Sequence, residues 1–180
     1  MRRGIFAPAT VALLAALCSC TGAKMERVPS RMAMEHGLAP GDRIAATPVK
    51  CPQSADRVIG AAGETQIVTF ATPFDCTACA PHLAGVPKAE RDAGVRDRAF
   101  AAVWSPRPRS LEHDLGANRP DLPLCIDEKG ALWDRYNLLH TPFTAVIRNG
   151  RVIYMHDGTL LTHRDRLTLA DDLRRALATE

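Results

Sequence analysis

The sequence predicts an α/β domain in which a central sheet is flanked by helices. Two observations carry that expectation: strand-like and helix-like segments alternate along the chain, and an Asn149-Gly150 pair between two β-rich runs marks a hairpin. Length and composition agree, since 180 residues with 46% hydrophobic and 24% charged side chains suffice for one globular domain with an apolar core.

The first strand candidate is Gln66 to Phe70, a short run with β-branched residues, followed by a turn at Thr72-Pro73-Phe74-Asp75 and a helix-capable segment from Cys76 towards Gly94. Arg98 to Trp104 is a second apolar run. The Pro- and Arg-containing stretch to Arg109 reads as loop, and Ser110 can cap a short helix that includes Leu111, Glu112 and His113. Leu122 to Ile126 is a third strand candidate, and Asp127-Glu128-Lys129-Gly130 a turn. Leu132, Trp133 and Tyr136 then recur at helical spacing, and that helix ends near Asn137. Thr144 to Ile147 and Val152 to Met155 flank Asn149-Gly150, a pair that accepts the positive φ of a tight primed turn. Thr162 to Ala178 carries Leu167, Leu169, Leu173 and Leu177 between charged residues, a helix with one apolar face. Trp104 and Trp133 read as core or near-core aromatics.

Ahead of this domain the chain divides into two further segments. Residues 1–19 read as an export signal: Arg2 and Arg3 precede an apolar stretch from Ile5 to Leu17 that is short for a membrane span. Leu17-Cys18-Ser19-Cys20 resembles a bacterial lipobox, which makes Cys20 the lipidated first residue of the mature chain. Cys18 competes less well because bulky Leu17 precedes it, and a plain secretory signal is the alternative. Residues 20–48, with Pro29, Pro40, Gly37 and Gly41 and no sustained periodicity, read as a flexible tether, leaving 49–180 as the folded domain. Met25, Met32, Met34 and His36 have the softness of copper ligands, but a Met-bearing linker accounts for them more simply. The formal net charge is +3, and removing Arg2 and Arg3 with the leader gives 3 − 2 = +1, which offers no support for a nucleic-acid partner.

Six cysteines in a short exported chain suggest disulfides. Without Cys18 and Cys20 there remain Cys51, Cys76, Cys79 and Cys125. The two-residue gap favours pairing of Cys76 with Cys79, and Cys51 and Cys125 are then candidates for a structural disulfide, with two buried thiols as the alternative. Cys76-Thr77-Ala78-Cys79 at the start of a helix gives its cysteines different roles. Unpaired N-H groups and the macrodipole at the helix N-terminus lower a Cys pKa from about 8.5 into the range of roughly 3.5 to 7.5, so Cys76 is the expected nucleophile and Cys79, a turn further in, the resolving thiol. The same spacing is half of a zinc site, but no second pair follows at zinc-finger distance.

Gln66 to Gly158 resembles the redoxin branch of the thioredoxin superfamily, in particular membrane-tethered thiol-disulfide oxidoreductases of the TlpA and ResA type. Ile67-Val68-Thr69-Phe70-Ala71-Thr72 matches the strand leading to that family's active site, and Cys76-Thr77-Ala78-Cys79 its redox motif. Leu122 to Gly130 is similar to its extra strand and turn, and Tyr136 to Ile147 to the segment holding its cis-proline. The resemblance implies a thioredoxin-like fold with a central mixed sheet flanked by helices and no cofactor. It puts Pro142 in the cis-proline role and Thr141 where backbone pairs with an extended substrate. The implied partners are exported proteins carrying disulfides or dithiols and a membrane electron donor, with attachment to the membrane, on the bacterial periplasmic side, through the lipid anchor.

Two departures stand out. Asp75 replaces the usual aromatic residue before the first Cys, and the usual helix proline is missing, with Pro81 and Pro87 nearby instead. A carboxylate beside Cys76 opposes the thiolate, so the site is expected to be a reductant or mild exchanger, not a strong oxidant. Within the same fold the main alternative is a Sco-like copper carrier using Cys76, Cys79 and His140, although such proteins space their cysteines by three residues. A peroxidase lacks its usual motif here, and a binding module stapled by its cysteines is the non-catalytic alternative. His82, His113, His156 and His163 are scattered and read as surface residues. Arg107, Arg109 and Arg119 read as solvated charge.

Overall fold

The structure is a computed structural model and describes residues 37–72, 78–105, 120–156, 160 and 162–178. Among these residues ten elements follow one another: β1 (Thr47–Val49), β2 (Arg57–Ile59), β3 (Thr65–Ala71), α1 (Cys79–Asp92), β4 (Ala99–Trp104), β5 (Leu124–Asp127), α2 (Ala131–Tyr136), β6 (Phe143–Arg148), β7 (Arg151–His156) and α3 (His163–Leu177). Five strands form a mixed sheet in the order β5-β4-β3-β6-β7. β3 pairs in parallel with β4, and β4 with β5, while β3–β6 and β6–β7 are antiparallel. This is the α/β arrangement expected, with the strand Leu124–Asp127 on the edge. The helix proposed around Ser110 and His113 and the Arg107, Arg109 and Arg119 positions lie outside the described residues.

β3 reads Thr-Gln-Ile-Val-Thr-Phe-Ala and is buried along nearly its whole length because both faces of the sheet are covered. One apolar layer contains Ile67, Ala71, Leu83, Val86, Val146, Leu169 and Leu173, where α1 and α3 pack on the sheet. On the other face, Val68, Phe70, Phe100, Phe143 and Ile147 meet Leu38, Ile44, Val49, Ile59, Leu132 and Trp133. The β6–β7 turn has Asn149 at φ 51° and Gly150 at φ 68°, the left-handed pair its sequence predicts. Trp133 is buried and Trp104 packs partly exposed against the same layer, as expected.

Packing begins earlier than residue 49. Leu38 and Ile44 are 1% and 3% exposed, so the last part of the segment read as tether is built into the domain. The segment first runs beside the β7 edge: Gly41 N donates to Val152 O (2.7 Å), Val152 N to Asp42 O (2.9 Å) and Ile44 N to Gly150 O (2.8 Å). It then reaches the β5 edge, where Ile126 N donates to Lys50 O (2.7 Å). Cys51 and Cys125 form a disulfide there, resolving the choice between a bond and two thiols. Sequence reading missed this because the apolar residues are too widely and irregularly spaced to match a helical or strand period.

Candidate functional site

Cys79 sits just beyond the carboxyl end of β3, in the first turn of α1, and is 2% exposed. The helix opens later than its sequence suggests: Ala78 precedes it with αR dihedrals, and His82 N donates its first bond, to Ala78 O (3.2 Å). Pro81 suits that start. The first turn leaves its backbone N-H groups without intrahelical acceptors, so Pro81, at the third helical position, forgoes no bond. Pro87, inside the same helix, forgoes its bond. Cys76 and Asp75 fall among residues 73–77, outside the described residues, as does Cys20.

Thr72 links Cys79 to the loop before β6. Its carbonyl oxygen is 3.8 Å from Cys79 Sγ, and its hydroxyl is 2.7 Å from Thr141 Oγ1. The Thr141–Pro142 peptide is cis, the isomer the resemblance assigns to it. Pro142 is buried and Thr141 half-buried, while His140 and Leu139 are exposed. Cys79, Thr72, Thr141 and Pro142 therefore gather at one end of the sheet, with a half-open polar edge beside an exposed loop. Among the described residues no three His, Cys, Asp or Glu side chains form a metal site, a set that does not include Cys76.

Beneath that end lies a polar layer that sequence reading missed. Thr69, Thr144 and His156 are successive cross-strand partners on β3, β6 and β7. Thr69 Oγ1 lies 2.9 Å from Thr144 Oγ1, and His82 Nε2 of α1 is 2.9 Å from the same Thr144 oxygen. His82 is 0% exposed, which corrects its reading as a surface residue, and its ring centroid is 6.4 Å from that of half-buried His156. The available signal was its position: three residues after Cys79 in a helix, His82 must share that residue's face. Tyr154 continues the layer, with its hydroxyl 3.3 Å from His156 Nδ1 and donating to Asp172 Oδ2 on α3. Burial first, and then that carboxylate, raise the Tyr154 pKa well above the ordinary phenol value.

The chain matches no protein-family model and no curated protein by sequence. Its structure resembles that of StoA from Bacillus subtilis, with TM-score 0.56 and 20% identity over 74% of this chain and 96% of that one. A thioredoxin domain of a thiol-disulfide oxidoreductase from Bacteroides vulgatus gives TM-score 0.58 and 13% identity over 76% and 98%. Peroxidoxin BcpB from Mycobacterium tuberculosis gives TM-score 0.56 and 16% identity over 76% and 99%. The chain has a thioredoxin-like fold, shared with redoxin proteins.

Proposed function

We propose that this protein is an extracytoplasmic thiol-disulfide oxidoreductase of the TlpA and ResA type that exchanges a Cys76/Cys79 dithiol with disulfides of exported partner proteins. The observation that carries this reading is the placement of Cys79: buried in the first turn of the helix after the central strand, and joined through Thr72 to the Thr141-Pro142 loop. Cys76, three residues earlier in the chain, supplies the attacking thiolate. It displaces one sulfur of the partner disulfide as a thiolate and forms a mixed disulfide. Cys79 then attacks Cys76 Sγ, forming the Cys76–Cys79 bond and releasing the second partner sulfur. Two electrons pass to the partner, and a membrane dithiol donor restores the reduced site. The Thr141 backbone pairs with the extended partner segment, as in strand addition.

Asp75 sets the direction in this proposal. A carboxylate next to Cys76 disfavours its thiolate, and a strongly oxidising couple requires a very stable thiolate, so the site works as a reductant. Cys20 carries the lipid that holds the domain at the outer face of a membrane. Two observations support export alone: the Arg2-Arg3 leader with its apolar stretch, and a disulfide between Cys51 and Cys125, a bond suited to an oxidising compartment.

The test is insulin reduction in the presence of dithiothreitol, together with trapping by Cys79→Ala. The wild type is expected to accelerate precipitation, and the variant to accumulate Cys76 in mixed disulfides with exported proteins. A reaction no faster than dithiothreitol alone, with no trapped species, would leave a binding module. A Cys76/Cys79 potential near about −120 mV, in the range of strong oxidases, would reverse the assigned direction.

A further inference from the structure

From the buried layer under Cys79 we infer that His82 is the proton acceptor for the Cys79 thiol in the resolving step, and that His156 and Tyr154 connect it to solvent. This rests on the proposed exchange between Cys76 and Cys79. Cys79 must attack as a thiolate, yet at 2% exposed it has almost no access to water. Thr72 O, 3.8 Å from its sulfur, can accept a hydrogen bond but cannot take up a proton. His82 is the titratable group one turn along the same helix face, completely buried and oriented by Thr144 through its Nε2.

Charge balance favours this partner. Losing the thiol proton to bulk water would leave an uncompensated thiolate in the interior, a costly state. Passing it to His82 leaves a thiolate and an imidazolium, with no net charge buried. In the forward step the Cys79 S–H bond breaks and an imidazole N–H forms. The Cys79 electron pair then makes the bond to Cys76 Sγ, while the bond from Cys76 to the partner sulfur breaks and that sulfur leaves as thiolate. The proton departs from His82 as the charge pair disappears, and reduction of the disulfide returns it.

The groups around His82 are consistent with that task. β3 and β6 present Thr69 and Thr144, which do not titrate in this range, and β7 presents His156 at 6.4 Å between ring centroids. Tyr154 and Asp172 lie beyond His156, so the acidic group is separated from His82 by a ring and a phenol. On α1 itself the neighbouring titratable group is Cys79. His156 is half-buried, giving the layer an outlet at the sheet edge.

Stopped-flow reaction of the reduced full chain with 5,5′-dithiobis(2-nitrobenzoate) tests this directly. The first release of thionitrobenzoate reports attack by Cys76, and the second reports resolution by Cys79. In His82→Gln, which keeps a hydrogen-bonding group for Thr144, the first phase is expected to stay within about twofold. The second should slow by roughly 10²-fold, the lower end for loss of a general base, and should rise with pH without the wild-type plateau. An unchanged second phase and pH profile would overturn the inference. Absence of a second release in the wild type would instead sink the exchange reaction itself. Nitrogen-15 NMR of the wild-type imidazole gives a reading that needs no folded variant. A His82 titration that differs between the dithiol and disulfide forms supports the inference, and one indifferent to the redox state overturns it.

Discussion

Tyr154 illustrates how one side chain joins a strand to a helix. Its hydroxyl donates to Asp172, and burial, reinforced by that carboxylate, raises its pKa. The native state thus keeps a phenol proton that the unfolded chain gives up above about pH 10. Since the folded form then binds more protons, stability must fall as pH rises through that range. Tyr154→Phe is expected to lower unfolding free energy by about 1–2 kcal/mol at neutral pH and to flatten this alkaline slope, both measurable by urea denaturation. Asp172 retains Arg175, which keeps the loss at the lower end for a charged acceptor. None of this was legible in the sequence. Tyr154 lies where the β6–β7 register shifts, between Val146 and Ile147, and a bulge of that kind breaks the alternation from which facing residues are inferred. His82 failed to stand out for a related reason. A histidine in a helix is usually a surface residue, and its significance here comes from Thr144, 62 positions away in the chain. Cys79, Thr141 and Pro142 were legible because motif spacing and proline chemistry are local properties.

Helix α1 carries the site at one end and an anchor at the other. Glu90, in its last turns, accepts backbone N-H groups from Arg98 (2.8 Å) and Ala99 (2.9 Å), fixing the helix to the start of β4. Burial is the main reason that the Glu90 pKa is raised, only partly offset by those two bonds. The consequence follows from linkage. Between the ordinary carboxylate value and its raised native value, the folded chain holds a proton that the unfolded chain has released, so stability declines as pH increases through that window. Glu90→Gln keeps an acceptor oxygen and avoids burying a charge. It is expected to be at least as stable as wild type above the window and to lose this part of the pH dependence, whereas Glu90→Ala leaves two N-H groups unsatisfied and should cost about 2–3 kcal/mol. Thermal unfolding of the three proteins from pH 4 to 7 separates these outcomes. The extents of the elements follow sequence logic closely where chain chemistry dictates them. Asn149-Gly150 located the hairpin, and α3 is preceded by its N-cap Thr162, whose side chain and Asp165 form a capping box. α1 starts a turn later than the Cys76 motif suggests, with Pro81 in its first turn, where a missing N-H forgoes no intrahelical bond.

The whole molecule depends on an N-terminal strap whose sequence has the look of a tether. Between Gly41 and Cys51 the chain passes from the outer edge of β7 to the outer edge of β5, laying Ile44 and Val49 over the sheet face opposite α1 and α3. Both sheet edges thus gain backbone partners, which reduces the exposed N-H and C=O groups through which sheets aggregate. The Cys51–Cys125 bond secures the strap where it reaches β5, closing a loop with a sequence separation of 74. A loop of that length corresponds to about 4 kcal/mol in the chain-entropy account. The bond lies beside β5, on the opposite sheet face from Cys79, so its contribution should be to folding and not to exchange. Cys51→Ala combined with Cys125→Ala is expected to lose about 2–5 kcal/mol of unfolding free energy while retaining insulin reduction at temperatures where it remains folded. Denaturant titration with parallel activity measurements tests both parts. Unchanged stability would mean that the strap is held by its hydrogen bonds and buried side chains alone. Lost activity in a folded double variant would place this second pair of cysteines within the electron path, and the division between a structural and a reactive disulfide would fail.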